Sequence, residues 1–388
     1  MEFLFEILFY ISGFIIFWAM IGYPISIKFI GKLYKARTLE KEYSHQPTVT
    51  VMVVAHNEEK VILDKLNNII ELDYPQDKLE FLIASDNSTD ATNKIVRNFI
   101  ACHKEYNIRL YEVRARKGKT NAQNEAQKTV TTEYLVMTDA NSIMDKNSVK
   151  ELMAAFVSDD IAYVSGRLSI VNHDISDVSN AEASYWDSDL AIREIEGRVQ
   201  TITAGNGALY ACRTTDYYDF DPIECHDSAM PPLYAIKGKR AIANHDAVAY
   251  EKAGEVVEDE FGRKVRMNRV ILKHILPDVR ILNIFKYKWF SYFYFGHRTC
   301  RYLLWIAHLM VLVTSMFLAM NSIFYSVILI GQCLFYFLAI IRAITKINSK
   351  YLTLVYYYCV TIVAQWVGVY NILTGKAKPF WEKAESTR

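Results

Sequence analysis

Three long stretches without charge constrain the fold of this chain most strongly. No Asp, Glu, Lys or Arg occurs in residues 7–27, 302–341 or 351–375. A helix needs about 20 predominantly apolar residues to cross the hydrocarbon core of a bilayer. The lengths of the stretches therefore predict one, two and one membrane spans, with the turn inside the longest stretch at Asn321-Ser322. One partner of this protein is thus a lipid bilayer, and any globular part lies between the first and second stretches.

The charges around the first span predict its orientation. Only Glu2 and Glu6 precede it, whereas Lys28, Lys32 and Lys41 follow it. Because Lys and Arg are enriched on the cytoplasmic side of membrane proteins, we expect a multi-pass cell-membrane protein whose middle part is cytoplasmic. Basic residues do not precede this span and a small-residue cleavage site does not follow it, which favours a retained anchor over a cleaved signal peptide.

The sequence then divides into four parts: a membrane anchor with a basic linker (1–46), a cytoplasmic globular domain (47–280), an aromatic segment (281–300) and a C-terminal membrane region with a basic tail (301–388). The aromatic segment suits a helix on the membrane surface, and the alternative is a buried helix of the globular domain. Four crossings would place Lys376 and Lys378 outside, against the charge rule. Either one predicted span is wrong or one lies in the interface.

The overall charge and the cysteines exclude some classes of function. A net charge of +1 and a pI of about 7.6 give no concentrated basic excess, so we expect no nucleic-acid partner. The six cysteines lie far apart and form no C-x-x-C pair. A zinc site or a disulfide framework is therefore not expected.

The globular domain shows strands that alternate with helices. Apolar, β-branched runs at 49–54, 79–85, 109–113 and 134–138 are each followed by a loop, and helical spacing follows the first three. Such alternation predicts an α/β fold with a mainly parallel central sheet and helices on both faces. The second half of the domain does not show this regular alternation. It contains a predicted strand at 162–171, a predicted helix at 181–199, and a strand pair or loop around Gly205-Asn206-Gly207.

Acidic residues follow two of these strands where each strand ends. Asp86 follows the second strand, and Asp139-Ala140-Asn141 ends the fourth. In open α/β sheets, ligands bind at the carboxyl ends of the strands, so a metal or a phosphate is the expected ligand of these acidic residues. If the backbone stays extended, Asp139 and Asn141 point to the same side. A turn with a helix cap is the alternative, because Asp and Asn are common in both.

Four motifs together resemble family-2 glycosyltransferases with the nucleotide-sugar-binding GT-A fold. They are Ala55-His56-Asn57-Glu58 after the first strand, Asp86-Asn87-Ser88-Thr89-Asp90 after the second, Lys117-Gly118-Lys119 with Asn124 downstream, and Thr138-Asp139-Ala140-Asn141. The resemblance covers residues 47–269. Asn87 stands where the family usually has glycine, and this exchange is mild because Asn tolerates positive φ.

The resemblance implies a nucleoside-diphosphate sugar as the donor. Its contacts would come from the four motifs and from a downstream basic cluster: Ala55, Asn57, Glu58, Asp86, Lys119, Asp139, Arg263 and Arg266. Asp139 and Asn141 would hold Mg²⁺ or Mn²⁺ on the diphosphate. The alternatives without a role in donor binding are a helix cap for Asp86, a position in a solvated loop for Lys119, and a juxtamembrane basic stretch for Arg263 and Arg266.

The resemblance places the catalytic base in an acidic pair ahead of a short helix, which matches His226-Asp227 in this sequence. Asp227 would accept the proton of the acceptor hydroxyl, and His226 replaces the usual first acid. A surface or capping pair is the alternative for both residues. The Gln-x-x-Arg-Trp motif of the processive synthases is absent from the sequence, which argues against long-chain polymerisation coupled to export.

The leading hypothesis is an inverting, metal-dependent glycosyltransferase. It would move a sugar, with UDP as the expected nucleotide, to a lipid-linked or polysaccharide acceptor at the cytoplasmic membrane face, with proteins of a polysaccharide assembly pathway as possible partners. The alternatives are a sugar-nucleotide-binding regulator without catalysis and a membrane transporter with a soluble regulatory insert.

Overall fold

A computed structural model describes residues 1–34, 38–171, 177–252, 257–345, 347 and 349–380. The last part of the predicted basic tail, residues 381–388, lies outside the described residues. Within the described ranges the chain forms one mixed sheet, helices on both faces of that sheet, and long apolar helices at both ends.

The sheet has the order β3-β2-β1-β4-β7-β6-β8-β5. Its first four strands are parallel, β7 runs antiparallel to its two neighbours, β6 and β8 are parallel, and β5 is antiparallel to β8. The prediction of a mainly parallel α/β sheet is thereby confirmed. The strands are β1 (Val49–Ala55), β2 (Leu79–Ser85), β3 (Ile108–Glu112), β4 (Tyr134–Asp139), β5 (Ile143–Met144), β6 (Ile161–Ile170), β7 (Leu209–Arg213) and β8 (Arg240–Glu251).

The central strands are apolar because both of their faces are covered. Every residue of β1 is buried. Val51 and Val53 join the hydrophobic cluster on one face of the sheet, and Met52 and Val54 join the cluster on the other. Side chains of a strand alternate between the two faces, so a strand covered on both sides needs apolar residues at consecutive positions.

The helices lie on both faces of the sheet and beyond it. Short 3₁₀ turns occur at Gln76–Lys78, Thr214–Asp216, Asn268–Val270 and Val279–Leu282, and π-turns join α1 to α2 (Trp18–Gly22) and α12 to α13 (Tyr294–Thr299). The α-helices are α1 (Glu2–Phe17), α2 (Tyr23–Leu33), α3 (Ile62–Ile70), α4 (Thr92–Cys102), α5 (Lys119–Gln127), α6 (Ser148–Ala154), α7 (Asp177–Val199), α8 (His226–Ile236), α9 (Val257–Met267), α10 (Ile271–Ile275), α11 (Ile284–Tyr287), α12 (Trp289–Phe293), α13 (Cys300–Tyr302), α14 (Leu304–Leu318), α15 (Ile323–Thr345) and α16 (Lys350–Leu373).

Parallel register brings the acidic strand ends together. Ala55 pairs with Ser85 at the ends of β1 and β2, and Val54 pairs with Asp139 at the end of β4. The loops that follow these three strands therefore leave the sheet at the same edge. This edge is the place where the sequence predicts a ligand.

Three of the apolar helices are long enough to cross a membrane: Glu2–Leu33, Ile323–Thr345 and Lys350–Leu373. A fourth candidate is made of Trp289–Tyr302 and Leu304–Leu318, two parts that are bent by 62° relative to each other. Asn321 lies in the predicted turn between α14 and α15, where its backbone N–H donates to the carbonyl of Leu318 at 3.0 Å.

The last apolar helix, α16, packs along the globular domain. The Lys264 ammonium lies 4.2 Å from the centre of the Tyr357 ring, and a Cβ on Gly368 would come 2.6 Å from the Cβ of Asn268. The chain turns at Gly375, which has φ 67°. Residues 376–380 then return to the domain.

This returning segment reaches the loop that precedes α5. The Phe380 ring lies 4.8 Å from the Arg116 guanidinium, and the Pro379 carbonyl fills the space that a Cβ on Gly118 would need. The segment after α16 and the globular domain therefore lie on the same side of any membrane that the other helices cross.

The aromatic segment 281–300 is partly buried between the anchor and the globular domain. Phe290 and Phe293 are fully buried, and Phe293 packs in one cluster with Tyr23 and Ile27 of α2. In contrast, Phe285 at its start is 89% exposed. Its position on a membrane surface stays a prediction.

Candidate active site

The loops that follow β1 and β2 are joined to each other. Asn57 and Asn87 both have φ 53°, the left-handed conformation that the sequence predicts for Asn87. The Asn57 side-chain carbonyl accepts the Thr89 backbone N–H at 2.7 Å, and the Glu58 N–H donates to the Thr92 hydroxyl at 2.7 Å. Asn57 and Glu58 therefore shape the edge of the crevice in addition to any contact with a ligand.

Asp86 holds the loop that leads into α5. Its two carboxylate oxygens accept the backbone N–H groups of Lys117 at 3.1 Å and Gly118 at 2.9 Å. Its own N–H donates to the Ala55 carbonyl at 2.8 Å. Asp86 itself is only 3% exposed. Gly118 has φ 98°, a conformation that glycine adopts without strain.

Three predicted site residues meet around Gly207. The Lys119 ammonium forms an ion pair with Asp139 and also donates to the Gly207 carbonyl at 3.2 Å. A Cβ on Gly207 would lie 3.5 Å from Asp227 Oδ2 and 3.7 Å from Lys119 Nζ. The structure thus brings residues from α5, the end of β4 and the start of α8 to one point.

The electrostatics of this cluster suit proton transfer at Asp227. Burial raises the pKa of Asp227 above its ordinary value, and the nearby Lys119 and Arg193 only partly offset this effect. For Lys119, burial opposes the charged form, but Asp139 and then Asp227 outweigh it and raise its pKa. A carboxylate with a raised pKa is a stronger base than an exposed one.

His226 points away from this cluster into the protein interior. It is 1% exposed, and its Nδ1 lies 2.9 Å from Oε1 of Gln123 on α5. Its Nε2 has no hydrogen-bond partner among the residues that the structure describes. Burial lowers the pKa of His226 to about 3, so the ring is neutral at physiological pH. This geometry favours a role in fixing α8 against α5.

The basic residues of α9 and the following turn approach the cluster from another side. Burial, Arg263 and Arg269 lower the pKa of Arg266 to about 10, whereas Cys225 and Asp139 act in the opposite direction. The Arg269 guanidinium donates to the Ile223 carbonyl at 2.6 Å and so holds the segment before α8. Arg266 is therefore within electrostatic reach of Asp139.

The residues at the end of β4 fit a metal ion only in part. Asp139 offers one carboxylate and Asn141 one amide oxygen, whereas Mg²⁺ prefers about six oxygen ligands. No group of three or more His, Cys, Asp or Glu in the described part of the chain could hold a metal. These two side chains fit Mg²⁺ or Mn²⁺ that also binds the phosphates of a donor and water.

A buried ionic network, which the sequence motifs do not indicate, contacts the backbone at Gly205. The Arg193 guanidinium contacts the Gly205 carbonyl and pairs with Asp189 at 2.5 Å. Glu196 is fully buried and accepts from the Tyr23 hydroxyl at 2.6 Å and from Thr203 N–H at 3.1 Å. Charged residues in a predicted helix usually face solvent, so only tertiary structure reveals that these residues link α2 to the site.

The sequence of the globular domain matches a known family. The family described as "Glycosyl transferase family 2" matches residues 50–222, which contain Asp86, Lys119 and Asp139. Residues 50–222 of this chain form a glycosyltransferase family 2 domain. The enzyme class predicted from the motifs is thereby confirmed, while the roles of individual site residues stay predictions.

Two curated relatives of this family-2 glycosyltransferase act in polysaccharide and glycolipid synthesis, according to their names. A poly-beta-1,6-N-acetyl-D-glucosamine synthase of Staphylococcus epidermidis is 26% identical over 142 residues, 33% of this chain and 33% of the relative. A beta-monoglucosyldiacylglycerol synthase of Nostoc sp. is 26% identical over 140 residues, 36% of this chain and 28% of the relative. The chain thus spans about a third of the length of the curated relatives that it matches.

A solved structure extends the similarity of this glycosyltransferase to nearly the whole chain. The mannosyltransferase PcManGT from Pyrobaculum calidifontis, in complex with GDP-Man and Mn²⁺, superposes with a TM-score of 0.72 at 20% identity. The superposition covers 95% of this chain and 99% of that chain. The similarity confirms the GT-A fold with apolar helices at both ends.

Proposed function

We propose that this chain is an inverting, metal-dependent glycosyltransferase of the membrane. Its donor is a nucleoside-diphosphate sugar, with UDP as the expected nucleotide, and its acceptor is a lipid-linked molecule or a saccharide at the cytoplasmic face. The observation that carries this proposal is the meeting of Lys119, Asp139 and Asp227 around Gly207. An anion-binding cation, a metal-binding acid and a buried base are the groups that sugar transfer from a diphosphate requires.

The donor is held at the carboxyl ends of β1, β2 and β4. Asp86 contacts the base or the ribose, and the loop formed by Ala55, Asn57 and Glu58 lines the nucleotide pocket. Lys119 lies between the nucleotide and Asp139, where its ammonium meets the phosphates. Arg266 and Arg263, which lies three residues before it on α9, close over the diphosphate, since guanidinium groups bind phosphate oxygens with two hydrogen bonds.

Asp139 and the Asn141 amide would hold Mg²⁺ or Mn²⁺ at the end of β4. The ion would supply positive charge that stabilises the departing diphosphate. Lys119 must then exchange part of its contact with Asp139 for a contact with the donor. The pair therefore keeps the acidic site neutralised before the donor arrives.

Asp227 acts as the base on the acceptor side. Its carboxylate takes the proton of the acceptor hydroxyl while the hydroxyl oxygen forms a bond to the anomeric carbon. The bond from that carbon to the phosphate oxygen breaks on the opposite face, which inverts the configuration. Gly207 leaves room for the acceptor between Asp227 and Lys119, and His226 fixes the start of α8 without itself taking part.

The acceptor reaches this site from the membrane side. The relatives named above synthesise a polysaccharide and a glycolipid, and both products fit a domain attached to apolar helices. The segment after α16 contacts the domain through Phe380, so Lys376 and Lys378 share its side, as the charge rule demands for a cytoplasmic domain. A saccharide acceptor would bring proteins of polysaccharide assembly to the same helices.

The test uses the full chain in native membranes with Mn²⁺ and a panel of labelled donors: UDP-glucose, UDP-N-acetylglucosamine, UDP-galactose and GDP-mannose. We expect one donor to be transferred, and the product to have the opposite anomeric configuration by NMR. Asp139→Asn and Asp227→Asn should abolish transfer, whereas the control Asp219→Asn, at an exposed position, should not.

Undiminished transfer by Asp139→Asn and Asp227→Asn would refute the proposal. Donor binding without any turnover would favour the regulator, and neither binding nor turnover would favour the transporter. A product with retained configuration would exclude the direct displacement by an Asp227-activated hydroxyl.

A further inference from the structure

Lys65 is a buried lysine that contacts both ends of the Asp139-Ala140-Asn141 turn, and it belongs to none of the sequence motifs. It lies on α3 among the buried residues Ile62, Leu66 and Ile69 and is itself 0% exposed. Lys is almost never fully buried unless it is paired. Its position therefore calls for a specific partner and a specific role.

The partners of Lys65 lie on both sides of the turn. Its ammonium donates to the Thr138 hydroxyl at 3.0 Å and to the Ser142 carbonyl at 2.5 Å. Thr138 directly precedes Asp139, and Ser142 directly follows Asn141. A single ammonium group thus ties the two ends of the turn that carries the predicted metal-binding residues.

Asn68 lies about one helical turn after Lys65 on the same face of α3, and it holds the backbone that follows the turn. Its side chain donates to the Met144 carbonyl at 2.8 Å and accepts the Met144 N–H at 2.8 Å. Residues three apart on a helix lie on the same side. The helix therefore serves as a template for the segment from the end of β4 to β5.

The charge of Lys65 also acts on the site. Burial lowers the pKa of Lys65 to about 7, and the carboxylates of Asp139 and Glu251 oppose this effect by stabilising the charged form. Glu251 also accepts a hydrogen bond from the Ser142 hydroxyl. Lys119 forms a direct ion pair with Asp139. Lys65 and Arg266 are also within electrostatic reach of Asp139.

We propose that Lys65 is a positioning residue that fixes the Asp139 turn and, by its charge, withholds Asp139 from a free divalent cation until the donor diphosphate arrives. This inference rests on the proposed metal-binding role of Asp139. Nearby positive charge repels a divalent ion, whereas it attracts a diphosphate or a diphosphate–metal complex. The site consequently favours the metal together with the donor over the metal alone.

The test compares Lys65→Met with the wild-type full chain in detergent, without any donor and at pH 6, below the pKa of Lys65. Met keeps most of the side-chain volume and removes the charge. We expect Mn²⁺ to bind Lys65→Met about tenfold or more tightly, measured by electron paramagnetic resonance of the free ion. The melting temperature should stay the same or rise, because the loss of a buried charge removes its desolvation cost. The matched control is Lys60→Met at an exposed position before α3, which should change neither quantity.

A second variant separates the charge from the hydrogen bonds. Lys65→Gln removes the charge but keeps a donor, so it should also tighten Mn²⁺ binding and should retain more transfer activity than Lys65→Met. If either folded variant binds Mn²⁺ as weakly as the wild type or more weakly, the electrostatic role of Lys65 is refuted.

The double variant Lys65→Met/Asp139→Asn separates this outcome from a failure of the proposed function. We expect it to lose the gain in Mn²⁺ affinity. If the double variant still binds Mn²⁺ tightly, Asp139 is not the metal-binding residue, and the metal site proposed at the end of β4 is refuted.

Discussion

Replacement of Asp227 by Asn tests the proposed chemistry most directly. The change keeps the shape of the side chain and removes the base. A positioned general base contributes about 10²–10⁴-fold to a rate, so we expect kcat to fall by that factor. This loss corresponds to about 3–5 kcal/mol of transition-state stabilisation at 1.36 kcal/mol per tenfold. Donor binding should persist, because Lys119 and Asp139 are unchanged.

The same substitution should not destabilise the protein at neutral pH. Burial raises the pKa of Asp227 in the folded state, so the folded state favours the protonated form more than the unfolded state does. The contribution of Asp227 to stability is therefore present at low pH and is lost as the pH rises through the folded-state pKa. Because Asn is always neutral, Asp227→Asn should melt at the same or a higher temperature at pH 7.

The assay needs the purified full chain and the donor that the panel identifies. Single-turnover rates give the chemical step, calorimetry gives donor affinity, and thermal unfolding gives stability. The wild-type rate should rise with pH through a pKa above the ordinary range of Asp, and Asp227→Asn should lose this dependence. Retention of more than a tenth of the wild-type rate, or the loss of donor binding in a protein that still folds, would refute the reasoning.

Four further predictions concern the surroundings of the site. Gly118→Ala should raise the KM for the donor and lower the melting temperature, because Gly118 has φ 98° and an Ala there costs roughly 1–3 kcal/mol before any contact with Pro379. Glu196→Ala should destabilise the fold by about 3–5 kcal/mol in thermal unfolding, since it leaves a buried ionic network without an acceptor. His226→Gln should keep the rate of transfer within about threefold, since His226 is neutral and buried; a loss as large as that of Asp227→Asn would contradict this. A reporter fused after Arg388 should be accessible from the same side of the membrane as an epitope in the globular domain, and accessibility from the opposite side would contradict the contact between Phe380 and Arg116.

The sequence predicts the parts of the site that belong to strand ends and their loops. Apolar runs locate β1, β2 and β4, and parallel pairing then fixes where Asp86 and Asp139 must emerge. The conformation of Asn87 was also predictable, because few residues other than glycine tolerate positive φ. These predictions need only the local pattern of apolar and polar residues and the geometry of a parallel sheet.

The remaining parts depend on contacts between distant segments. Lys65 looks like an ordinary helix residue, and only the packing of α3 against the end of β4 reveals its hydrogen bonds to Thr138 and Ser142. His226 stands beside Asp227 in the sequence, yet successive residues at a helix start point in different directions. One faces Gln123 in the interior and the other faces Gly207 in the site.

The contacts of α16 explain the conflict between the predicted spans and the charge rule. An even number of crossings must follow the domain if residues 376–380 are to touch it. The bent segment that ends in α14 and the helix α15 provide two crossings, joined by the turn at Asn321. α16 contacts the domain through Lys264 and Asn268, and its end leads directly to Gly118. We infer that α16 lies along the membrane surface against the domain, because a third crossing after the domain would carry Pro379 and Phe380 away from the loop that they contact.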